Sequence, residues 1–183
     1  MNVIIQYSNS LAQGKYKQAV WRLLTETDKE FIPPLSFREG TTQQNLGGKA
    51  PDIPISLFPY FTEIQNQHFI FAINNEDEIL GFMSFKHPYI NHNIEEYCPC
   101  NYISTLCVSK KFRGNGIAGL MYRYIEENLP RSITSGYIAT RTWTGNISHI
   151  HLLEKRGYAL VKQLTNDRGK GIHTVYFVKK VSL

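Results

Sequence analysis

The order of elements along this chain predicts an α+β protein, a β-sheet covered by helices on both sides. Three observations carry the prediction. Runs rich in β-branched and aromatic residues recur along the chain; three segments with helical apolar spacing are interspersed among them; and two pairs of β-rich runs are joined by short polar turns that suit hairpins. A length of 183 residues falls within the range of one domain and can bury a substantial core, so one domain over residues 1–183 is expected.

Taken in order, Asn2 to Tyr7 is a short β-rich start. Lys15 to Asp28 places Ala19, Val20, Leu23 and Leu24 at helical spacing, which predicts a helix. From Phe31 to Pro59 the prolines and glycines, among them Pro33, Pro34, Gly47 and Gly48, interrupt any long element and predict loops and short helices. His68 to Ile73 and Ile79 to Lys86 flank the polar run Asn74 to Glu78 and are expected to pair antiparallel. Residues 87–100 read as a loop before a central strand, Tyr102 to Val108. Ile117, Leu120, Met121, Tyr124 and Ile125 then mark one side of a helix that ends before Pro130. Ile133 to Arg141 reads as a strand, Ile147 to Lys155 as a helix stopped by Gly157, and Tyr158 to Leu164 with His173 to Val181 as a closing hairpin around the turn Asn166 to Gly171.

Composition excludes several classes. Hydrophobic residues at 42% and aromatics at 13% belong to a globular chain, and no long apolar span or basic-then-apolar leader stands out, so a soluble, cytoplasmic protein without membrane association is expected. The three cysteines are an odd number, and Cys98 and Cys100 are spaced wrongly for a zinc or redox pair; free thiols and no metal are expected. The net charge of +5 is spread along the chain instead of forming a stripe, which argues against a nucleic-acid partner.

The most informative segment runs from Thr105 to Leu120. An apolar strand enters a basic turn punctuated by Gly114, Gly116 and Gly119 that opens directly onto a helix. The first amides of a helix lack intrahelical partners and carry the positive end of its dipole, so an anion settles there readily. Lys110, Lys111 and Arg113 add long-range attraction for a polyanion. Neither the dinucleotide-binding glycine pattern nor the phosphate-binding loop ending in Gly-Lys-Ser/Thr is present.

Arg113, Gly114, Asn115, Gly116, Ile117 and Ala118 do fit the acyl-CoA-binding signature Arg/Gln-x-x-Gly-x-Gly/Ala, and a second block from Asn146 to Gly157 and Tyr158 follows at a matching distance. In both blocks the chain resembles the GNAT N-acetyltransferase superfamily, with residues 101–160 carrying the match. The resemblance implies a GNAT-like fold, a central mixed and mostly antiparallel sheet flanked by helices on both faces. It also implies acetyl-CoA as acyl donor. Backbone groups of Leu106, Cys107 and Val108 would meet the pantetheine arm, the amides from Gly114 through Asn115, Gly116, Ile117 and Ala118 to Gly119 would take the pyrophosphate, and Asn146 would either contact the cofactor or simply cap its helix.

The implied reaction is direct transfer of the acetyl group to a primary amine. The amine must lose its proton, a strand amide near Cys107 or Val108 must meet the developing oxyanion, and the departing sulfur gains from an acid. The tyrosine usual in the second block is replaced by Leu153. His149, one helical turn earlier, and Tyr102 on the central strand are the catalytic candidates, each with packing as its alternative; His151, Glu95 and Glu96 are weaker. Cys107 in an apolar strand reads as inert core. Trp143, Tyr137, Phe58, Tyr60 and Phe61 are candidates for a substrate pocket. The implied partners are acetyl-CoA and an unidentified amine acceptor, and a homodimer is allowed. A catalytically silent acyl-CoA-binding or sensing domain and a basic nucleic-acid-binding module are the competing readings.

Overall fold

The computed structural model describes residues 2–11, 14–47 and 56–182; residues 48–55 of the stretch read as loops and short helices lie outside the described residues. Seven strands form one sheet in the order β1-β2-β3-β4-β5-β7-β6. They are β1 Ile4–Ser8, β2 His68–Ile73, β3 Ile79–Tyr89, β4 Cys100–Val108, β5 Tyr137–Trp143, β6 Ala159–Leu164 and β7 Thr174–Lys180. Every neighbouring pair is antiparallel except β4 with β5, so the sheet is mixed and mostly antiparallel.

Among the described residues, four α-helices cover the sheet: α1 Lys17–Thr27, α2 Phe58–Ile64, α3 Ile117–Glu127 and α4 Ile147–Lys155. Strand alternation sorts them onto two faces. Phe69, Phe71 and Phe82 point to one face, where Val20, Leu24, Tyr60 and Ile64 of α1 and α2 pack on them. Ile70, Ala72 and Met83 point to the other, under Met121, Tyr122 and Ile125 of α3 and Leu153 of α4.

Several boundaries differ from the sequence reading; β5, for one, runs on to Trp143 instead of ending at Arg141. β3 runs on to Tyr89 and β4 begins at Cys100, shortening the expected 87–100 loop to a stretch with a single 3-10 turn at Glu95–Tyr97. β5 begins at Tyr137 instead of Ile133, because Arg131–Ile133 forms a 3-10 turn after Pro130. α2 starts at Phe58 with Pro59 in its first turn, where the missing amide hydrogen costs nothing.

The sheet opens in its middle. β4 and β5 are in register only at Asn101 with Ile138, Tyr102 with Ala139 and Ile103 with Thr140, although β4 continues to Val108 and β5 to Trp143. The cause is local. Against β3, Ser84 pairs with Thr105 while Phe85 pairs with Ile103, leaving Ser104 as an extra residue on β4. Such a bulge bends the strand that carries it. Its hydroxyl is held by Ser84 at 2.9 Å and by Gln67, so the bend is anchored within the sheet.

Candidate functional site

A cavity of about 1170 Å³ occupies the opening between β4 and β5 and extends to both faces of the sheet. On the α3 side it reaches the glycine turn. Gly114 and Gly116 have φ of +79° and +73°, the left-handed region that favours glycine, and a Cβ at either would meet nothing within 4 Å. Glycine is therefore required by the backbone conformation, and the space above the turn is open. The first hydrogen bond of α3 runs from Leu120 N to Gly116 O, which leaves the amides of Ile117, Ala118 and Gly119 without intrahelical partners. Asn115 braces the turn by donating to the carbonyls of Phe112 at 3.0 Å and Arg113 at 3.2 Å.

The basic residues of the turn are already engaged. Arg113 donates from Nη2 to Glu30 at 2.7 Å and from Nε to the Val108 carbonyl at 3.0 Å; Lys110 pairs with Glu30 and Lys111 with Glu78. Backbone amides and the helix dipole, more than free side-chain charge, make this end of the cleft attractive to an anion.

β4 supplies an open edge. Ser109 N donates to Leu80 O across the β3 ladder, and alternation then turns the N–H and C=O groups of Val108 and Leu106 away from β3, toward the opening. The amide of Cys107 falls on the β3 side. Its thiol is buried against Thr27, 3.4 Å from that hydroxyl, and burial pushes its pKa up to about 12. Cys107 is a poor nucleophile in this setting.

Asn146 begins α4 and lines the cavity, but its side chain does not cap the helix; Nδ2 donates to Thr142 Oγ1 at 3.0 Å. His149, one turn on, also lines the cavity and accepts or shares a hydrogen bond at 2.7 Å between its Nε2 and the Tyr122 hydroxyl. Desolvation pulls its pKa down to about 4, so the ring is neutral at pH 7, and which of the two groups donates follows the imidazole tautomer. Leu153 is fully buried in the core with Tyr122 and Tyr158. A tyrosine hydroxyl thus reaches α4, but it comes from α3. Nothing in the sequence singles Tyr122 out from the other apolar-side residues of that helix.

Tyr102 is buried against the ring of Tyr89 beneath the cavity and is not on its wall; its hydroxyl has no partner among the described residues. His151, Glu95 and Glu96 are exposed. Of the five aromatics proposed as pocket lining only Trp143 lines the cavity; Phe58 is exposed, Tyr60 and Phe61 are buried in the core, and Tyr137 packs on Tyr97.

On the α1 and α2 face the wall is formed by Phe31, Arg38, Thr41, Arg141, Trp143 and Arg168. The alternation of β5 explains two of them, since Ala139, Arg141 and Trp143 point opposite to Ile138, Thr140 and Thr142. The others come from the loop after α1 and the turn before β7. No group of three His, Cys, Asp or Glu side chains able to hold a metal ion occurs among the described residues, and no helix is long and apolar enough to cross a membrane.

A model of the acetyltransferase (GNAT) family matches residues 35–158. None of the curated proteins compared matches the sequence. A GNAT-family structure from Desulfovibrio desulfuricans superposes with a TM-score of 0.69 at 11% identity, over 99% of this chain and 100% of that one. Ribosomal-protein-alanine N-acetyltransferase from Brucella melitensis does so with a TM-score of 0.63 at 16% identity, over 97% and 99%. yncA from Salmonella typhimurium, solved with its cofactor acetyl-CoA, gives 0.65 at 12% identity, over 98% and 94%. At such identities the structural likeness is one of fold.

Proposed function

The chain belongs to the GNAT acetyltransferase family, and from that premise we propose that it moves an acetyl group from acetyl-CoA to a primary amine by direct attack, with both substrates in the cleft together. The observation that carries this reading is the one cavity that joins the open amides of the glycine turn, the unpaired edge of β4 and a separate wall on the opposite face of the sheet. Donor and acceptor can enter from opposite faces and meet at the split. Acetyl-CoA supplies the activated thioester carbonyl and a good leaving group.

The remaining work falls to the chain. Amides from Gly114 to Gly119 bind the pyrophosphate, for which the open, left-handed turn leaves room. The outward groups of Leu106 and Val108 bond the extended pantetheine arm much as a neighbouring strand would. One of those N–H groups lies where charge develops on the thioester oxygen, and a fixed donor in a water-poor cleft is worth far more there than in solution. Arg113 fixes the Val108 carbonyl, and Asn146 is held by Thr142 at the mouth of the same cleft.

His149 acts as a neutral hydrogen-bonding group backed by Tyr122; a base with a pKa near 4 does not take a proton from an alkylammonium at neutral pH. Tyr102 is assigned to packing. The amine attacks in its neutral form, its proton having passed to solvent before it enters the cleft.

Coenzyme A release from acetyl-CoA, followed with a thiol reagent across a panel of small amines, amino acids and peptides, tests this reading. Acceptor-dependent release is expected, with no inflection in kcat/KM near pH 6.5 caused by His149. Tight binding of acetyl-CoA with no release for any acceptor would instead identify a silent binding domain.

A further inference from the structure

Three arginines line the acceptor wall, and no step above needs all of them. Arg38 and Arg168 are only 5% and 6% exposed, and Arg141 is partly buried. The first two converge on one atom: Arg38 Nη2 and Arg168 Nη1 both donate to the Ile32 carbonyl, at 3.3 and 2.6 Å. Arg38 also donates to Pro33 O at 2.7 Å, Arg141 to the carbonyls of Thr41 and Gln43 at 3.1 and 2.7 Å, and Arg168 to Thr174 Oγ1 at 2.9 Å. Arg38 lies over the ring of Phe31 and Arg168 over that of Trp143, and the two rings are 6.2 Å apart.

All these partners are neutral. Among the described residues, no carboxylate stands within ion-pair distance of any of the three, although Arg113 and Arg156 elsewhere in the cavity each have a glutamate. The nearest acids are committed to other donors, Asp28 to the amide and hydroxyl of Ser36, and Asp167 to Thr174 and the Asn45 amide. Arg38 Nη1 and Arg168 Nη2 make no hydrogen bond among the described residues.

Asp28 and Asp167 attract the cluster at longer range, but burying like charges together with no ion pair is costly, and an anion arriving among them lowers that cost. Burial first, and then the neighbouring guanidinium groups, pull the pKa of Arg38 down to about 10 and that of Arg168 to about 9; both remain charged at neutral pH. Backbone carbonyls and aromatic faces hold the guanidinium groups in place, so the positive site is built before any ligand binds.

We propose that Arg38, Arg141 and Arg168 bind an acidic group on the acceptor, making the preferred substrate a small amine that also carries a carboxylate or a phosphate. The proposal rests on the acetyltransferase reading of the same cleft. Small size follows from the placement of the arginines, which lie inside the cavity with little exposure to solvent. A carboxylate or phosphate accepts from two guanidinium nitrogens at once, and such charge-assisted pairs are the stronger hydrogen bonds of proteins. The free amine end of the acceptor is then held toward the split between β4 and β5.

The test compares glutamate, β-alanine and O-phosphoethanolamine with ethanolamine and putrescine as acceptors, in the full-length protein and in Arg141→Gln and Arg168→Gln. The acidic amines are expected to show kcat/KM at least about tenfold above the others, and each variant to raise the acceptor KM by about 10- to 100-fold while acetyl-CoA affinity stays within about twofold. The carboxylated and phosphorylated arms identify which anion is preferred. Calorimetry with inorganic phosphate, without acetyl-CoA, reads the cluster independently of catalysis, and unchanged acetyl-CoA binding reports that each variant is folded. Preference for ethanolamine or putrescine, or phosphate binding unaffected by both substitutions, overturns the proposal. Failure of acetyl-CoA to bind while phosphate still binds at the arginines instead sinks the acetyltransferase reading alone.

Discussion

The two walls of the cleft are made of different material. On the α3 side the groups proposed to bind are main-chain amides, exposed by a glycine turn and by a strand edge that lost its neighbour. On the α1 and α2 side they are side chains, three guanidinium groups gathered from a loop, a strand and a turn. A backbone site is generic and recognises what every donor of one class shares, whereas a side-chain site is particular and can be re-specified without disturbing the fold. The contrast extends to charge. Near the glycine turn, Glu30 balances Arg113 and Lys110, and Glu126 takes Arg156 and Lys179; on the other wall the guanidinium charge has no ion-pair partner among the described residues.

Substituting Gly116 with valine attacks the backbone wall most directly. A β-branched residue at φ +73° is strained although no atom blocks its Cβ, so the turn must refold and its amides turn away. Acetyl-CoA affinity measured by calorimetry is expected to fall on the order of 100-fold or more, against a stability loss of roughly 1–2 kcal/mol. Unchanged affinity would mean that side chains hold the pyrophosphate, and the contrast between the walls would collapse.

Acid separates the walls next. His149 has a folded-state pKa depressed to about 4, so the unfolded chain binds more protons below its ordinary value near 6.5. Stability contributed by the neutral ring is complete above pH 6.5 and is lost as pH falls toward 4, a loss on the order of 2–3 kcal/mol. The guanidinium wall has no equivalent in this range. Thermal unfolding followed from pH 7 to 4 should show this slope, and His149→Phe should flatten it.

The smallest effect is expected at Cys107, which lies between the walls with its thiol turned into the core. Cys107→Ala should leave kcat within about threefold, with a stability cost near 1 kcal/mol from lost packing. A loss of several orders of magnitude in kcat would reinstate a covalent route through the thiol.

The same contrast decides how much could be read beforehand. The backbone wall is written in contiguous residues, Thr105 to Leu120 and Asn146 to Tyr158, because a turn and a helix start are local structures, and local structure is what spacing encodes. The wall proposed for the acceptor combines Phe31 and Arg38 with Arg168, and only the fold brings them together; Arg168 lay in a stretch legible merely as a turn. Arg141 and Trp143 share a face because they are two apart in β5, but the sequence reading closed that strand at Arg141 and so missed the pairing. The residue that opens the strand split was hidden for another reason. It is Ser104, one extra residue beside Thr105 in a run whose two apolar flanks, Tyr102 with Ile103 and Leu106 to Val108, read together as one strand. Tyr122, which brings a hydroxyl to His149, was masked by its place among ordinary core residues of α3.

That extra serine has a thermodynamic consequence. Sheets normally expose unpaired strand edges only at their borders, where they invite pairing with foreign chains. By bending β4 away from β5, Ser104 creates such edges in the interior, and in the proposed binding mode a cofactor arm along β4 takes the place of the missing ladder. Folding and ligand concentration are then linked, since whatever binds only the native state stabilises it by mass action, about 2.7 kcal/mol at a hundred times the dissociation constant. The protein's resistance to unfolding becomes a readout of how much acetyl-CoA surrounds it.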